Sequence, residues 1–298
     1  MKKIDIHTHI TAFPQTACPR KWAKHTFLGL EDQLKIHDNL NVDFGVILPI
    51  IAPDCQWMMM SNEEVKFIVD QRPDRYTWFC NVDPRQGDYS PKSDLEFIVG
   101  HYKSLGAKGL GELTTPLYAD DPMMDNLFSA CECLDMPVLI HIAPQHGGDY
   151  GIVDELGLPR IEKMLKKHKD MKLIGHSAAF WCEISEGVRQ EERNGYPKGK
   201  VKEGRLPKLL REYENLYCDI SAGSGENALM RDPEYAAKFL TEFQDRIYYG
   251  ADVCIPTQTN MYKFDEFFMG MVESGMITRE VYEKIIRKNA EKLLEIKE

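Results

Sequence analysis

Short apolar runs alternate with longer amphipathic ones along almost the whole chain. Lys3–His9, Phe44–Ile50, Tyr76–Val82, Ala107–Leu113, Pro137–Ile142, Met171–His176, Leu216–Ile220 and Arg246–Asp252 are brief and apolar-rich, and they read as buried strands. Between them, Leu30–Leu40, Asn62–Gln71, Asp94–Leu105, Met123–Leu134, Arg160–His168, Pro207–Tyr213 and Pro233–Phe243 have helical character, and Lys263–Ser274 and Thr278–Ile296 close the chain as two more helices. Eight strand-like runs, each followed by a helical stretch, predict a closed parallel α/β barrel. An open doubly wound sheet is the alternative. It loses ground because no Gly-x-Gly-x-x-Gly turn or phosphate-binding loop follows any run; Gly109-Leu110-Gly111 falls inside one.

The 298 residues, 43% of them hydrophobic, suffice for one barrel domain over residues 1–298. No apolar run approaches the ~20 residues that span a bilayer, and the charged N-terminus leads straight into the first strand without a signal peptide. A cytoplasmic protein is expected, with no membrane partner. Eight cysteines without a Cys-x-x-Cys pair read as free thiols, Cys131 and Cys133 being placed on a buried helix face. The net charge of −10 excludes a nucleic-acid partner, which would need a basic surface, and favours a small-molecule substrate. Homo-oligomer formation is left open.

Chemistry concentrates where the strand-like runs end. His7 and His9 are one residue apart in a strand, so both side chains project to one side and can share a metal ion. The corresponding ends of later runs carry Glu112, His141, His176 and Asp252. In a closed parallel barrel these ends meet at one face, where catalytic groups sit. His37, His101 and His168 fall on or near helices and are expected to face solvent, and His25 and His146 read as surface histidines in loops.

The ordered set Ile4–His9, Gly109–Glu112, Pro137–His141, Leu173–His176, Tyr249–Asp252 and Asn289–Leu294 resembles the amidohydrolase superfamily. The likeness is to its amidohydrolase 2 branch, which includes aminocarboxymuconate-semialdehyde decarboxylase-like enzymes. The resemblance implies a (β/α)8 TIM barrel of the metallo-dependent hydrolase type with a divalent metal at its mouth. His7, His9, His141 and Asp252 match the family's metal ligands, and His176 matches the histidine beside the metal. Where binuclear members carry a bridging lysine, the fourth strand here offers Glu112. One ion is expected, with a second left open. Zinc suits imidazole and carboxylate ligands, and manganese, iron or cobalt are alternatives. Asp252 is expected to move the proton and His176 to orient the reacting groups, in hydrolysis of an amide, ester or lactone. The competing expectation is non-oxidative decarboxylation or hydration on the same site.

Substrate choice is assigned to loops. The longest, Ser177 to Leu206, carries Phe180, Trp181, Lys198, Lys200 and Lys202. Trp181, Lys198 and Lys200 are the expected substrate contacts, and the segment is expected to matter more for substrate than for folding. Ser221–Gly225 reads as a small-residue turn near the ligand, and Gln56–Met60 reads as core packing or a pocket wall.

Overall fold

The computed structural model describes residues 1–19, 24–55 and 59–296. Nine parallel strands are present among them: β1 (Lys3–Thr8), β2 (Val42–Ile47), β3 (Tyr76–Trp78), β4 (Leu110–Leu113), β5 (Val138–Ala143), β6 (Ile152–Val153), β7 (Leu173–His176), β8 (Leu216–Asp219) and β9 (Ile247–Tyr248). They form the runs β1-β2-β3 and β4-β5-β7-β8-β9, with β6 off this path and paired to the far end of β5. Backbone hydrogen bonds join the two runs into a ring. Cys80 N donates to Gly109 O at 2.9 Å and Gly111 N to Cys80 O at 2.8 Å, while Ile6 N donates to Tyr249 O at 3.1 Å and Asp252 N to His7 O at 2.9 Å. The eight-stranded barrel is therefore closed. The predicted helices lie between its strands with ends shifted by a few residues, for example Asn62–Gln71, Leu95–Ser104 and Pro233–Glu242. The predicted terminal helix, Thr278–Ile296, is interrupted by a wide turn at Lys284–Lys288.

Two apolar layers follow from the strand pattern. Ile4, Ile6, Val46, Leu48, Phe79, Leu139, Ile174 and Tyr248 come from strands all around the ring and fill its interior together with Ala290 and Leu294. A larger cluster lies between strands and helices. Strict alternation would send Ile4, Ile6 and Thr8 inward and leave His7 outside. The β1/β2 register is irregular between Asp5 and Thr8, however, and there the phase slips. Thr8 joins Asp5 on the outer side, its hydroxyl donating to Asp5 Oδ2 at 3.0 Å, and His7 and His9 both turn to the barrel mouth.

Several sequence expectations are corrected here. His37 and His168 are buried rather than solvent-facing, because their faces pack on neighbouring elements that supply acids and a phenol. His101 is exposed as expected, as are His25 and His146. Cys131 is buried but Cys133 is exposed, since residues two apart on a helix face different ways. Ser221–Gly225 is no isolated turn: it opens an unpredicted helix, Ala222–Met230. The insertion after β7 starts as a helix, Ala178–Trp181, whose Phe180 and Trp181 are in the core. A Cβ on Gly175 would lie 2.1 Å from the Phe180 ring, so this glycine makes room for the insertion's anchor. Of the Gln56–Met60 stretch, residues 56–58 lie outside the described residues; Met59 is exposed and Met60 buried. No described helix is long and apolar enough to cross a membrane.

Candidate metal centre

The orientation of the first histidine pair is set by what its Nδ1 atoms touch. His9 Nδ1 lies 2.9 Å from the Leu48 carbonyl, which can only accept, and His7 Nδ1 lies 2.6 Å from Asp219 Oδ2. Both Nδ1 atoms therefore carry a proton, and whenever the rings are neutral each Nε2 is left with a lone pair. These two Nε2 atoms face each other at 3.1 Å. Two facing lone pairs repel; a shared cation removes the conflict.

Two carboxylates complete the group. Glu112 Oε2 lies 3.6 Å from His7 Nε2 and 3.3 Å from His9 Nε2, and Asp252 Oδ1 lies 3.8 and 3.9 Å from the same atoms. Donors around one ion with bonds of about 2.0–2.1 Å stand roughly 3.3–3.4 Å apart in a tetrahedron, so the four atoms fit a small divalent cation. A second group adjoins the first. Glu112 Oε1 is 2.7 Å from His141 Nδ1, and Glu112, His141 and His176 bring ligand atoms together within 4.8 Å. Glu112 thus faces both groups, one oxygen to each. The donors are all nitrogen and oxygen, which suits zinc and other first-row divalent ions.

The site is nearly dry, and its charges are mutually dependent. Burial disfavours a charge on His7, but Asp252, Asp219 and Glu112 outweigh it and hold the imidazole well above its ordinary pKa. Burial likewise opposes the Glu112 carboxylate, which His7 and His141 hold well below the usual range. Asp219, fully buried, is also held low by His7 and His176. Such a surplus of carboxylate, which without a cation draws a proton onto His7, is the electrostatic setting in which a cation binds. Asp252 differs from the rest in access. Its side chain is 20% exposed, against 5% for Glu112 and 0–2% for His7 and His9. It also sits at φ 47°, a left-handed backbone held by the Asp252 N–H to His7 and by Gln258 Nε2 donating to Asp252 O at 2.7 Å.

Above the cluster opens a cavity of about 1130 Å³, lined by His9, Glu112, His141, His176 and Asp252 and, farther out, by Tyr150, Asn194, Tyr196, Asn227, Arg231 and Asn260. Tyr150 packs over His141 with ring centroids 4.3 Å apart, and burial raises its phenol well above the ordinary value. It remains an undissociated donor at neutral pH.

All six residues expected at the metal are brought together: His7, His9, Glu112, His141, His176 and Asp252. The three expected substrate contacts are not at this cavity. Trp181 is 1% exposed and its indole donates to Asp219 O at 2.9 Å, so it is a core residue. Lys200 is exposed and paired with Glu234 at 3.2 Å, and Lys198 is exposed at the surface, because that part of the insertion turns outward. Ser177, Ala178, Asn194 and Tyr196 are what the insertion contributes to the lining. Asp219 was missed, although it ends a predicted strand as the other site residues do. Its carboxylate accepts from Ser221 Oγ at 2.8 Å, and that hydroxyl is 3.0 Å from His176 Nδ1. Asp219 and Ser221 therefore orient both His7 and His176.

The amidohydrolase family model matches residues 4–296. The chain belongs to the amidohydrolase family, in its amidohydrolase 2 branch. Solved structures share its fold across nearly the whole length. An uncharacterized TIM-barrel protein from Bordetella bronchiseptica is 18% identical with a TM-score of 0.67, 99% of each chain being covered. A probable 2-pyrone-4,6-dicarboxylic acid hydrolase from Acinetobacter baumannii, with citric acid bound, is 14% identical with a TM-score of 0.59, covering 99% of this chain and 100% of that one. A dihydroxybenzoic acid decarboxylase from Polaromonas sp. JS666, with bound manganese and an inhibitor, is 17% identical with a TM-score of 0.59, covering 99% and 97%. No curated protein matches by sequence.

Proposed function

We propose that this amidohydrolase is a metal-dependent hydrolase of an amide, ester or lactone in a small, carboxylate-bearing molecule. His7, His9, Glu112 and Asp252 would hold one divalent cation, zinc before manganese, iron or cobalt, with His141 and His176 beside it and able to help hold a second. Such an ion supplies Lewis-acid polarisation of a carbonyl and acidifies water.

The observation that carries this reading is the position of Asp252. It is the carboxylate that both stands among the facing donor atoms and opens to the cavity. Asp252 Oδ can therefore take a proton from attacking water and return it to the leaving group. His176, fixed through its Nδ1 by Ser221 and Asp219, presents its other ring nitrogen to the reacting centre. Tyr150, held neutral, can donate to a substrate oxygen over His141. Burial of these groups excludes bulk water and strengthens each interaction.

The same groups support a second reading, non-oxidative decarboxylation, in which Asp252 takes up a proton from solvent and passes it to the carbon whose bond to the departing CO₂ breaks. Hydrolases and decarboxylases both occur among the solved structures of this fold, so the fold favours neither. The deciding experiment is metal analysis followed by a screen of lactones, esters and hydroxylated benzoates, with CO₂ and titratable acid measured separately. Acid release without CO₂ supports hydrolysis. Stoichiometric CO₂ establishes the decarboxylase, and protein that neither carries nor accepts metal overturns both.

A further inference from the structure

Past β9 the chain runs through Tyr249, Gly250 and Ala251 to Asp252, then leaves the barrel mouth in a loop that ends at the helix Asn260–Glu273. Both backbone polar groups of Asp252 are engaged. Its N–H donates to His7 O at 2.9 Å, and its carbonyl accepts from Gln258 Nε2 at 2.7 Å. The other half of the same amide, Gln258 Oε1, accepts from Cys254 N at 3.0 Å, so one side chain spans both ends of the segment Asp252–Cys254. Gln258 is itself fixed, because its N–H donates to Ile255 O at 3.1 Å and the helix begins two residues on.

The carboxylate is held as well. Cys254 Sγ donates to Asp252 Oδ1 at 3.0 Å, and Oδ1 is the oxygen that faces His7 and His9. The thiol has little room to turn away, since Cys254 is buried in an apolar cluster with Phe27, Ile50 and Ile255. These contacts matter because Asp252 stands at φ 47°, a left-handed backbone that an aspartate keeps only where its surroundings over-determine it. Without the brace, the residue is free to return to an ordinary backbone and to swing its carboxylate away from the two imidazoles.

We infer that Gln258 and Cys254 are positioning residues of the metal centre: the Gln258 amide fixes the backbone of Asp252 and the Cys254 thiol fixes its Oδ1, so that this carboxylate meets the cation already in place. The inference rests on the reading of Asp252 as a metal ligand. It extends the centre to two residues that act on the ion only through Asp252.

The test is titration of metal-free protein with Co²⁺, followed by calorimetry and by the visible bands of the ion, which report the number and arrangement of its ligands. Gln258→Leu should weaken cobalt binding about 10- to 100-fold, the usual effect of losing a group that orients a ligand, and should alter the bands. Cys254→Ala should weaken it a few-fold, the thiol being a weak donor, and Cys254→Ser, which keeps a donor, should restore wild-type binding. In an Asp252→Ala background, Gln258→Leu should have no further effect, which a merely structural role would not produce. Should Gln258→Leu fold poorly, Gln258→Asn, whose shorter arm cannot span both contacts, carries the test. Wild-type cobalt affinity and bands in the folded Gln258 variants overturn the inference, as does an undiminished effect of Gln258→Leu when Asp252 is already alanine. Failure of the underlying reading shows separately, as an Asp252→Ala protein that binds cobalt like wild type, and overturns the inference with it.

Discussion

His7 on β1 and His37 on the helix Leu30–Asn39 packed against that strand are both buried, one at the barrel mouth and one in the layer between sheet and helices, and they differ in what their nitrogens face. His37 Nε2 is 3.1 Å from Asp5 Oδ2 and its Nδ1 is 3.1 Å from the Tyr76 hydroxyl, so the ring is satisfied at both ends. His168 is satisfied in the same way by Glu132 and Asp125, each at 3.0 Å. His7 is satisfied at Nδ1 by Asp219, while its Nε2 points at another imidazole nitrogen. Burial alone therefore does not mark a functional histidine. What distinguishes the mouth is a ring nitrogen that faces another ring nitrogen, as at His7 and His9, and neither His37 nor His168 has one.

Removing the metal should have the largest effect. Dialysis against a chelator should abolish activity and lower the melting temperature, because the facing donors and surplus carboxylates lose what reconciles them. Metal affinity should fall as pH drops, the loss beginning above the ordinary imidazole range because the carboxylates around His7 make its ring hold a proton more tightly when the metal is absent. If chelated, metal-free protein keeps its activity, the contrast drawn between the two kinds of histidine has no functional content.

Asp252→Asn keeps the shape of the site and removes the proposed base. Turnover should fall by about 10² to 10⁴-fold in protein verified as folded and metal-loaded. A variant within a few-fold of wild type on the eventual substrate would show that the proton is moved elsewhere.

His37→Ala should reverse the pattern. It opens a satisfied buried network around Asp5, which also accepts from the backbone N–H groups of His7 and Ala251. A loss of roughly 3 kcal/mol in stability is expected, as for a buried pair deprived of one partner, with kcat changed by less than about threefold. Denaturant melts and steady-state kinetics on the same sample separate these effects. A large kcat loss at native stability would make the Asp5–His37–Tyr76 chain part of the catalytic apparatus.

Most of this contrast was readable in the chain only where regular structure controls direction. Strand ends in a closed parallel barrel meet at one face, so His7, His9, Glu112, His141, His176 and Asp252 could be found from position alone. Asp219 obeyed the same rule at the end of β8 and could have been included. What could not be read was set by tertiary packing. Nothing local shows that helix positions 37 and 168 meet acids from other elements, or that Trp181 turns into the core within a four-residue helix. The serines and glycines of Ala222–Met230 obscured a helix that lines the cavity.

The smallest effect is expected at Lys198 and Lys200, and it separates the anchored part of the insertion from its outer part. From Ala178 to Ile184 the insertion is buried in part by Phe180 and Trp181, and Arg193 is fully buried, its Nη1 donating to Asp154 O at 2.6 Å. Replacing the whole segment by a short linker should therefore cost stability, against the expectation drawn from its loop-like composition. Beyond Arg193 the chain presents Asn194 and Tyr196 to the cavity and then turns outward, leaving Lys198 in solvent and Lys200 on the exposed Glu234. Exposed ion pairs contribute little, and a lysine outside the lining has no route to a bound carboxylate. Lys198→Ala with Lys200→Ala should leave the melting temperature and kcat unchanged and KM within about twofold. A rise in KM much beyond that, specific to anionic substrates and suppressed by salt, would show that these lysines steer the substrate from outside the cavity.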